Sequence, residues 1–330
     1  MSLRILNYAW HAGHQYELHK LPHAFTLAVR PGVPAWKFKH RPIQPGVRVA
    51  READLDLTAF HVAILHFDEH VLEPWVGGET QPFLHFNQAL TIPRVAICHG
   101  TPPIDEAGQV DDARRQAIVD AVGETLVVCN SNGARDQWGF RRTRTIWHGF
   151  DPQEYPPTTR GRGALTIGNF HPGRRRYQGY DVYRAAVREA EAAGVHCHLL
   201  WSRGDDEFTT VEPRRGEFFP QHLLLKAFPP GKDEPRELHP GWLRRVANPY
   251  ARARFAAYRR LIRRYAVYFN PTLLSPMPRS RAEGMLSGLA VVTTNHHDEE
   301  RFLEQEVDGY FSNDPGQLAD YLRFLGSNPD

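Results

Sequence analysis

Short apolar runs rich in β-branched residues alternate along this chain with stretches of helical character, and that alternation constrains the fold more than any other feature. The runs RILNYA (4–9), FTLAV (25–29), HVAILHF (61–67), RVAICH (94–99), TLVVCN (125–130) and TRTIWH (143–148) lack the period of two that a sheet covered on one face imposes. Strands of that kind are buried on both faces, which predicts a parallel sheet between helical layers. The pattern breaks at DPQEYPPTTRGRG (151–163), where an interdomain linker is expected. It resumes with ALTIGNF (164–170), a helix over 180–194, VHCHLLW (195–201), AVYFNP (266–271), a helix near 281–287 and LAVVTT (289–294). Two doubly wound α/β domains, 1–155 and 156–330, are therefore expected, each binding ligands at the carboxyl ends of its strands. Segment 203–250, rich in Pro, Arg and acidic residues, reads as a loop-bearing insertion.

A chain of 330 residues suits two domains of ordinary size, and 41% hydrophobic with 24% charged residues excludes a disordered chain. The three cysteines, Cys98, Cys129 and Cys197, show no CxxC spacing, which favours buried free thiols over disulfides or zinc. A net charge of +2 gives no general attraction to nucleic acid or membrane. No apolar run reaches the roughly 18 residues of a membrane span, and MSLRILNYAWHAGH turns polar too early for a signal peptide, so a cytoplasmic location is expected.

Several loops carry chemistry. Gly13, in WHAGHQYELHKL (10–21) after the first strand, either lets an anion approach the backbone ahead of a helix or makes a tight turn. His99, in CHGTPP (98–103), stands at a strand end where an imidazole can hydrogen-bond a sugar hydroxyl, or is a satisfied strand-end histidine. His66, Asp68 and His70 in HFDEH (66–70) resemble metal ligands but have no matching third cluster; cleft lining or plain loop is the preferred reading, and no metal is expected. GNFHPGRRRYQGYD (168–181) follows a strand and leads into a helix. Arg174, Arg175 and Arg176 within it either fork onto phosphate oxygens or form a solvated basic loop. Glu283 can accept both hydroxyls of a ribose, whereas its spacing from Ser280 is also that of a capping box. The run 242–264 sets arginines around Phe255, Tyr258, Leu261 and Ile262, as in an amphipathic helix, or less often a surface for anionic lipid or nucleic acid.

Together these stretches resemble the retaining glycosyltransferases of family four (glycosyl transferases group 1), which have the GT-B fold. The blocks that carry the resemblance are TIWHGFDP (145–152), GNFHPGRRRYQGYD (168–181) and SRAEGMLSGLAVVTTNHHDEERFLEQEVDGYFSNDPGQLADYL (280–322). The resemblance implies two Rossmann-like domains facing a central cleft, the acceptor in the first and a nucleotide-diphosphate sugar in the second, with retained anomeric configuration and neither cofactor nor catalytic metal. It implies that Glu283 binds the donor ribose, that His99 lies near the transferred sugar and that Gly13 meets the diphosphate. Gly168, Asn169, Ser275, Arg279 and Ser280 complete the implied donor site, and Arg174, Arg175 and Arg176 the implied catalytic charge. Four positions depart from the family pattern: Ser275 replaces the first motif glutamate, Asn169 the usual arginine, Gln178 the usual lysine and His148 the usual asparagine of the interdomain segment. The acceptor stays open among glycan, lipid-linked, small-molecule and nucleic-acid classes, and docking at the inner membrane face would use the 242–264 helix. A degenerate GT-B protein that binds a nucleotide or glycan is the rival reading, and a GT-B epimerase or phosphorylase a further one.

Overall fold

The computed structural model describes residues 2–30, 36–38, 40–74, 80–157, 161–168, 170, 172–200, 210–211, 241–275, 277–295 and 302–327. Asn169 and most of the expected insertion at 203–250 lie outside them. By its internal contacts the chain divides into two compact units, Met1–Gly149 with Glu217–Phe255, and Phe150–Gly216 with Ala256–Asp330.

The first unit is built on seven strands, β1 (Arg4–Asn7), β2 (Ala24–Val29), β3 (Arg48–Arg51), β4 (Val62–Phe67), β5 (Arg94–Cys98), β6 (Leu126–Cys129) and β7 (Thr143–Thr145). They pair in parallel in the order β3-β2-β1-β4-β5-β6-β7. The chain thus runs outward from β1 in one direction and restarts at β4 in the other, which makes the β1/β4 boundary the switch point where ligands bind in such sheets. Helices α1 (Ala12–Leu18), α2 (Pro82–Ala89), α3 (Asp112–Val122) and α4 (Asn132–Trp138) connect the strands. Asp111 and Ser131 cap α3 and α4 by accepting from the Arg114 and Ala134 amides, satisfying donors that the first helical turn leaves over. Leu6, Leu65, Phe67, Phe86, Ile118 and Trp138 are buried in one cluster, each contributing roughly 1.5–3 kcal/mol. Cys98 and Cys129 sit opposite each other on β5 and β6 as buried free thiols, and Cys197 is also free and buried.

In the second unit β8 (Ala164–Ile167), β9 (Cys197–Leu200), β10 (Thr210–Val211), β11 (Val267–Asn270), β12 (Ala290–Thr293) and β13 (Gly309–Phe311) pair in parallel in the order β10-β9-β8-β11-β12-β13. Its switch point lies between β8 and β11. Helices α5 (Tyr180–Ala192), α7 (Arg279–Leu286) and α8 (Pro315–Ser327) belong to this unit, while α6 (Gly241–Ile262) contributes residues to both. The apolar side chains read from 242–264 are covered: Phe255 meets Tyr16 edge-on at 5.4 Å, and Tyr258, Leu261 and Ile262 are buried. These four side chains are therefore core positions of the protein. Among the described residues no helix is long and apolar enough to cross a membrane.

Gly179 shows why the 168–181 loop can reach its neighbour. It caps α5 with φ +64°, and a Cβ there would come within 1.8 Å of the Pro271 carbonyl oxygen after β11. Gly179→Ala is expected to cost more than about 2 kcal/mol in urea unfolding, since strain and a backbone clash add. Gly194→Ala, at φ +88° but with nothing within 4 Å, is expected to cost only about 1–2 kcal/mol. Equal losses would show that the close approach does not matter.

Candidate functional site

At the first switch point the chain assembles histidines. His66 closes β4 next to Phe67, and His99 follows β5, so adjacent parallel strands deliver both rings to one edge. His66 Nδ1 and His99 Nε2 are 2.9 Å apart. From α1, His14 meets His99 and His66 edge-on with ring centroids at 5.2 and 5.9 Å, and meets His148 at 5.1 Å. His11 stacks on His99 at 5.4 Å and caps α1 by accepting from the His14 amide. His66 is wholly buried, whereas His99 is half-buried. Burial, reinforced by the neighbouring imidazoles, holds both well below the ordinary histidine range, so at pH 7 they are neutral hydrogen-bonding groups. Among the described residues, His14, His66 and His99 each offer a nitrogen within 4.8 Å of the others and could hold a metal ion.

The HFDEH segment splits by function. His66 joins this cluster, but His70 turns to Glu73 at 2.9 Å and Glu69 at 3.4 Å, while Glu73 also pairs with Arg114. Hydrogen bonding to Glu69, then to Glu73, outweighs desolvation and raises His70 to about 9. The stabilisation from this raised value is complete below the unfolded pKa near 6.5 and is lost as pH rises through about 9. NMR titration should therefore find His70 protonated at pH 7.5, with the midpoint moving toward 6.5 in Glu69→Gln.

Gly13, read as preceding a helix or making a tight turn, instead lies inside α1, which begins at Ala12. The reason is His11, whose ring nitrogen caps the helix one residue earlier. With only seven residues, α1 offers no extended helix terminus to an anion.

At the second switch point the loops after β8 and β11 are tied together, the Leu273 and Leu274 amides both donating to the Tyr177 carbonyl at 2.9 and 3.2 Å. Gly168 directly follows β8, its amide bonded to the Leu200 carbonyl at 3.3 Å. Ser275 lies half-buried in the loop ahead of α7. Arg174 and Arg176 are exposed, but the Arg175 guanidinium lies 4.4 Å from the centre of the Tyr180 ring and donates toward the Phe170 carbonyl. Arg175 therefore packs against the protein itself.

Glu283 is neither in the first turn of its helix nor part of a capping box. Pro278 precedes the helix without a side-chain cap, so Ser280 sits inside α7 and accepts from the Tyr268 hydroxyl at 2.6 Å. The Glu283 carboxylate is buried one turn further on, accepting from the Tyr258 hydroxyl at 2.5 Å with Arg279 Nη2 at 3.5 Å. Arg279 also lies over the Phe150 ring at 4.3 Å. Tyr258 and Tyr268 are therefore partners of the candidate residues Glu283 and Ser280 that the motifs did not reveal, although Tyr258 stood among the apolar positions of its helix.

No protein-family model matches this chain, and no curated protein matches it. Solved structures do share its fold. HepE of Anabaena in complex with UDP is 14% identical with a TM-score of 0.57, over 98% of this chain and 89% of that one. The same protein in complex with UDP-glucose is 13% identical, with the same TM-score and coverage. Sucrose-phosphate synthase of Thermosynechococcus elongatus is 14% identical with a TM-score of 0.60, over 99% of this chain and 90% of that one. The fold is that of the GT-B glycosyltransferases, two parallel-sheet α/β units.

Proposed function

We propose that this chain is a glycosyltransferase that moves a sugar from a nucleoside-diphosphate donor, UDP-linked in the first instance, to an acceptor hydroxyl. The observation that carries the reading is Glu283: a buried carboxylate on α7, held by Tyr258 and Arg279, with no capping duty. It stands where the sequence resemblance puts the ribose-binding glutamate. The solved structures of this fold that hold UDP and UDP-glucose support the choice of nucleotide.

In the proposed reaction the bond from the anomeric carbon to the diphosphate oxygen breaks, and the diphosphate leaves with the electron pair. The acceptor oxygen bonds to that carbon and passes its proton to the departing diphosphate oxygen, with retention at the anomeric centre. Arg174 and Arg176, the exposed members of their loop, stabilise the departing diphosphate. His99, kept neutral, hydrogen-bonds the sugar. Arg279 and Ser280 shape the donor site around Glu283, Gly168 gives the backbone room beside the diphosphate, and Ser275 widens the choice of sugar by replacing a carboxylate with a hydroxyl. No metal takes part in these steps.

A degenerate GT-B protein that binds a nucleotide without transfer is favoured by one observation, the packing of Arg175 on Tyr180, which removes a cation from a loop already lacking its usual lysine at Gln178. Calorimetric titration with UDP, GDP and ADP in EDTA tests the donor assignment. Binding of one of them that survives chelation supports it, and no binding by any of the three rejects it.

A further inference from the structure

The first switch point holds a hydrogen-bond chain whose direction is fixed by the backbone. The Gln15 carboxamide cannot turn over: its Oε1 accepts from the Trp10 amide at 2.8 Å, so the opposite Nε2 donates to the Tyr8 carbonyl at 2.7 Å. That Nε2 also lies 3.1 Å from Asn7 Oδ1 and 3.3 Å from His66 Nε2. Asn7 Oδ1 is an acceptor too, since it takes the Tyr8 amide at 2.7 Å. An amide nitrogen is a donor only, and a hydrogen on His66 Nε2 would point at it. His66 Nε2 is therefore the lone-pair nitrogen, and the hydrogen of this neutral ring is on Nδ1.

The 2.9 Å contact then has one direction: His66 Nδ1–H donates to His99 Nε2. A neutral His99 that accepts at Nε2 must carry its own hydrogen on Nδ1. The Tyr8 hydroxyl anchors the strand behind it, accepting from the His66 amide at 2.8 Å and donating to the His66 carbonyl. With this assignment the His66 nitrogen that faces His99 carries a hydrogen, which a metal ion bound at that nitrogen would have to displace.

We propose that Gln15 and His66 are positioning residues that hold His99 as an Nδ1–H donor to an oxygen of the transferred sugar. This rests on the transferase reading for the identity of the ligand, but the tautomer itself does not. His66 acts through His99 and touches no reacting atom. Its burial keeps water from competing for the bond.

Long-range proton–nitrogen NMR of the histidine-labelled protein reads the tautomers without any donor present. Expected at pH 7 is a neutral His99 with hydrogen on Nδ1 and a bare Nε2, and the same for His66. A His99 hydrogen on Nε2 overturns the proposal, as does a joint shift of His14, His66 and His99 on stoichiometric Zn2+, which would make this a metal site. His66→Asn keeps an N–H donor toward His99, whereas His66→Leu fills the space without one. The Asn variant should keep the Nδ1–H form of His99 and a kcat within about threefold. The Leu variant should mix tautomers and lose about tenfold in kcat, the worth of one hydrogen bond. A Leu variant as active as the Asn variant also overturns the proposal, and if either variant fails to fold the wild-type spectrum decides alone. A correct tautomer in a protein that turns over no donor would defeat the transferase reading and leave this chain of bonds standing.

Discussion

Glu283→Gln is expected to weaken UDP binding on the order of a hundredfold while leaving the protein folded. Glutamine keeps the volume and an acceptor for the Tyr258 hydroxyl at this buried position, so the fold loses little beyond the pairing with Arg279. The ribose loses more, because two hydroxyl donors to a carboxylate become bonds to a neutral amide that can accept on one atom only. Hydrogen bonds to charged groups contribute about 1.5–3 kcal/mol against about 1 for neutral pairs. Glu283→Ala would confuse the two effects, since removing one partner of a buried ion pair costs roughly 3–5 kcal/mol of stability. Calorimetry with UDP beside a thermal melt separates them. A lower melting temperature with unchanged affinity would make Glu283 a structural residue.

The second large effect concerns the arginine loop, where the fold distinguishes three residues that the sequence presents as equivalent. Arg174→Ala and Arg176→Ala are expected to slow turnover about a hundredfold each if both meet the diphosphate, since stabilising a departing anion is commonly worth roughly 3 kcal/mol per well-placed donor. Lysine at either position should restore only part of the rate, because a point charge cannot form the bidentate fork. Arg175→Ala should act differently. Its guanidinium is stacked on Tyr180, so its loss is expected to cost about 0.5–2 kcal/mol of stability with a smaller effect on rate. Near wild-type turnover in the Arg174 and Arg176 variants would remove the loop from the mechanism.

The strands that the sequence displayed are those covered on both faces. β1, β4, β5 and β6 are continuous apolar runs because helices pack on either side, and the runs read too long only where they pass into loops, as at His99. Missed were β3 and β13, short edge strands whose residues are half exposed and therefore carry no unbroken apolar signal, and the two-residue edge strand β10 inside the segment read as an insertion. The Ser280–Glu283 spacing misled because a capping box is a local pattern, while Pro278 decides where α7 begins. Glu283 itself was legible through its block of sequence, but its partner Tyr258 comes from α6, and no spacing could join the two.

The histidine cluster was legible in part. By sequence His99 stands out alone, and His66 stands beside Asp68 and His70, its neighbours along the chain. A parallel sheet instead groups residues that end adjacent strands, so His66 and His99 were the pair to compare. His11 and His14, one helical turn apart beyond the end of β1, were the remaining clue.

The most direct test of the donor assignment is the appearance of free UDP from UDP-glucose in the presence of EDTA, first without acceptor and then with a panel of candidate acceptors. Slow release by hydrolysis, accelerated by one acceptor class and lost in Arg174→Ala, is the predicted result. UDP bound tightly but never released from UDP-glucose or from any other nucleotide sugar would contradict it, and would mark the chain as a nucleotide-binding relative that has lost transfer.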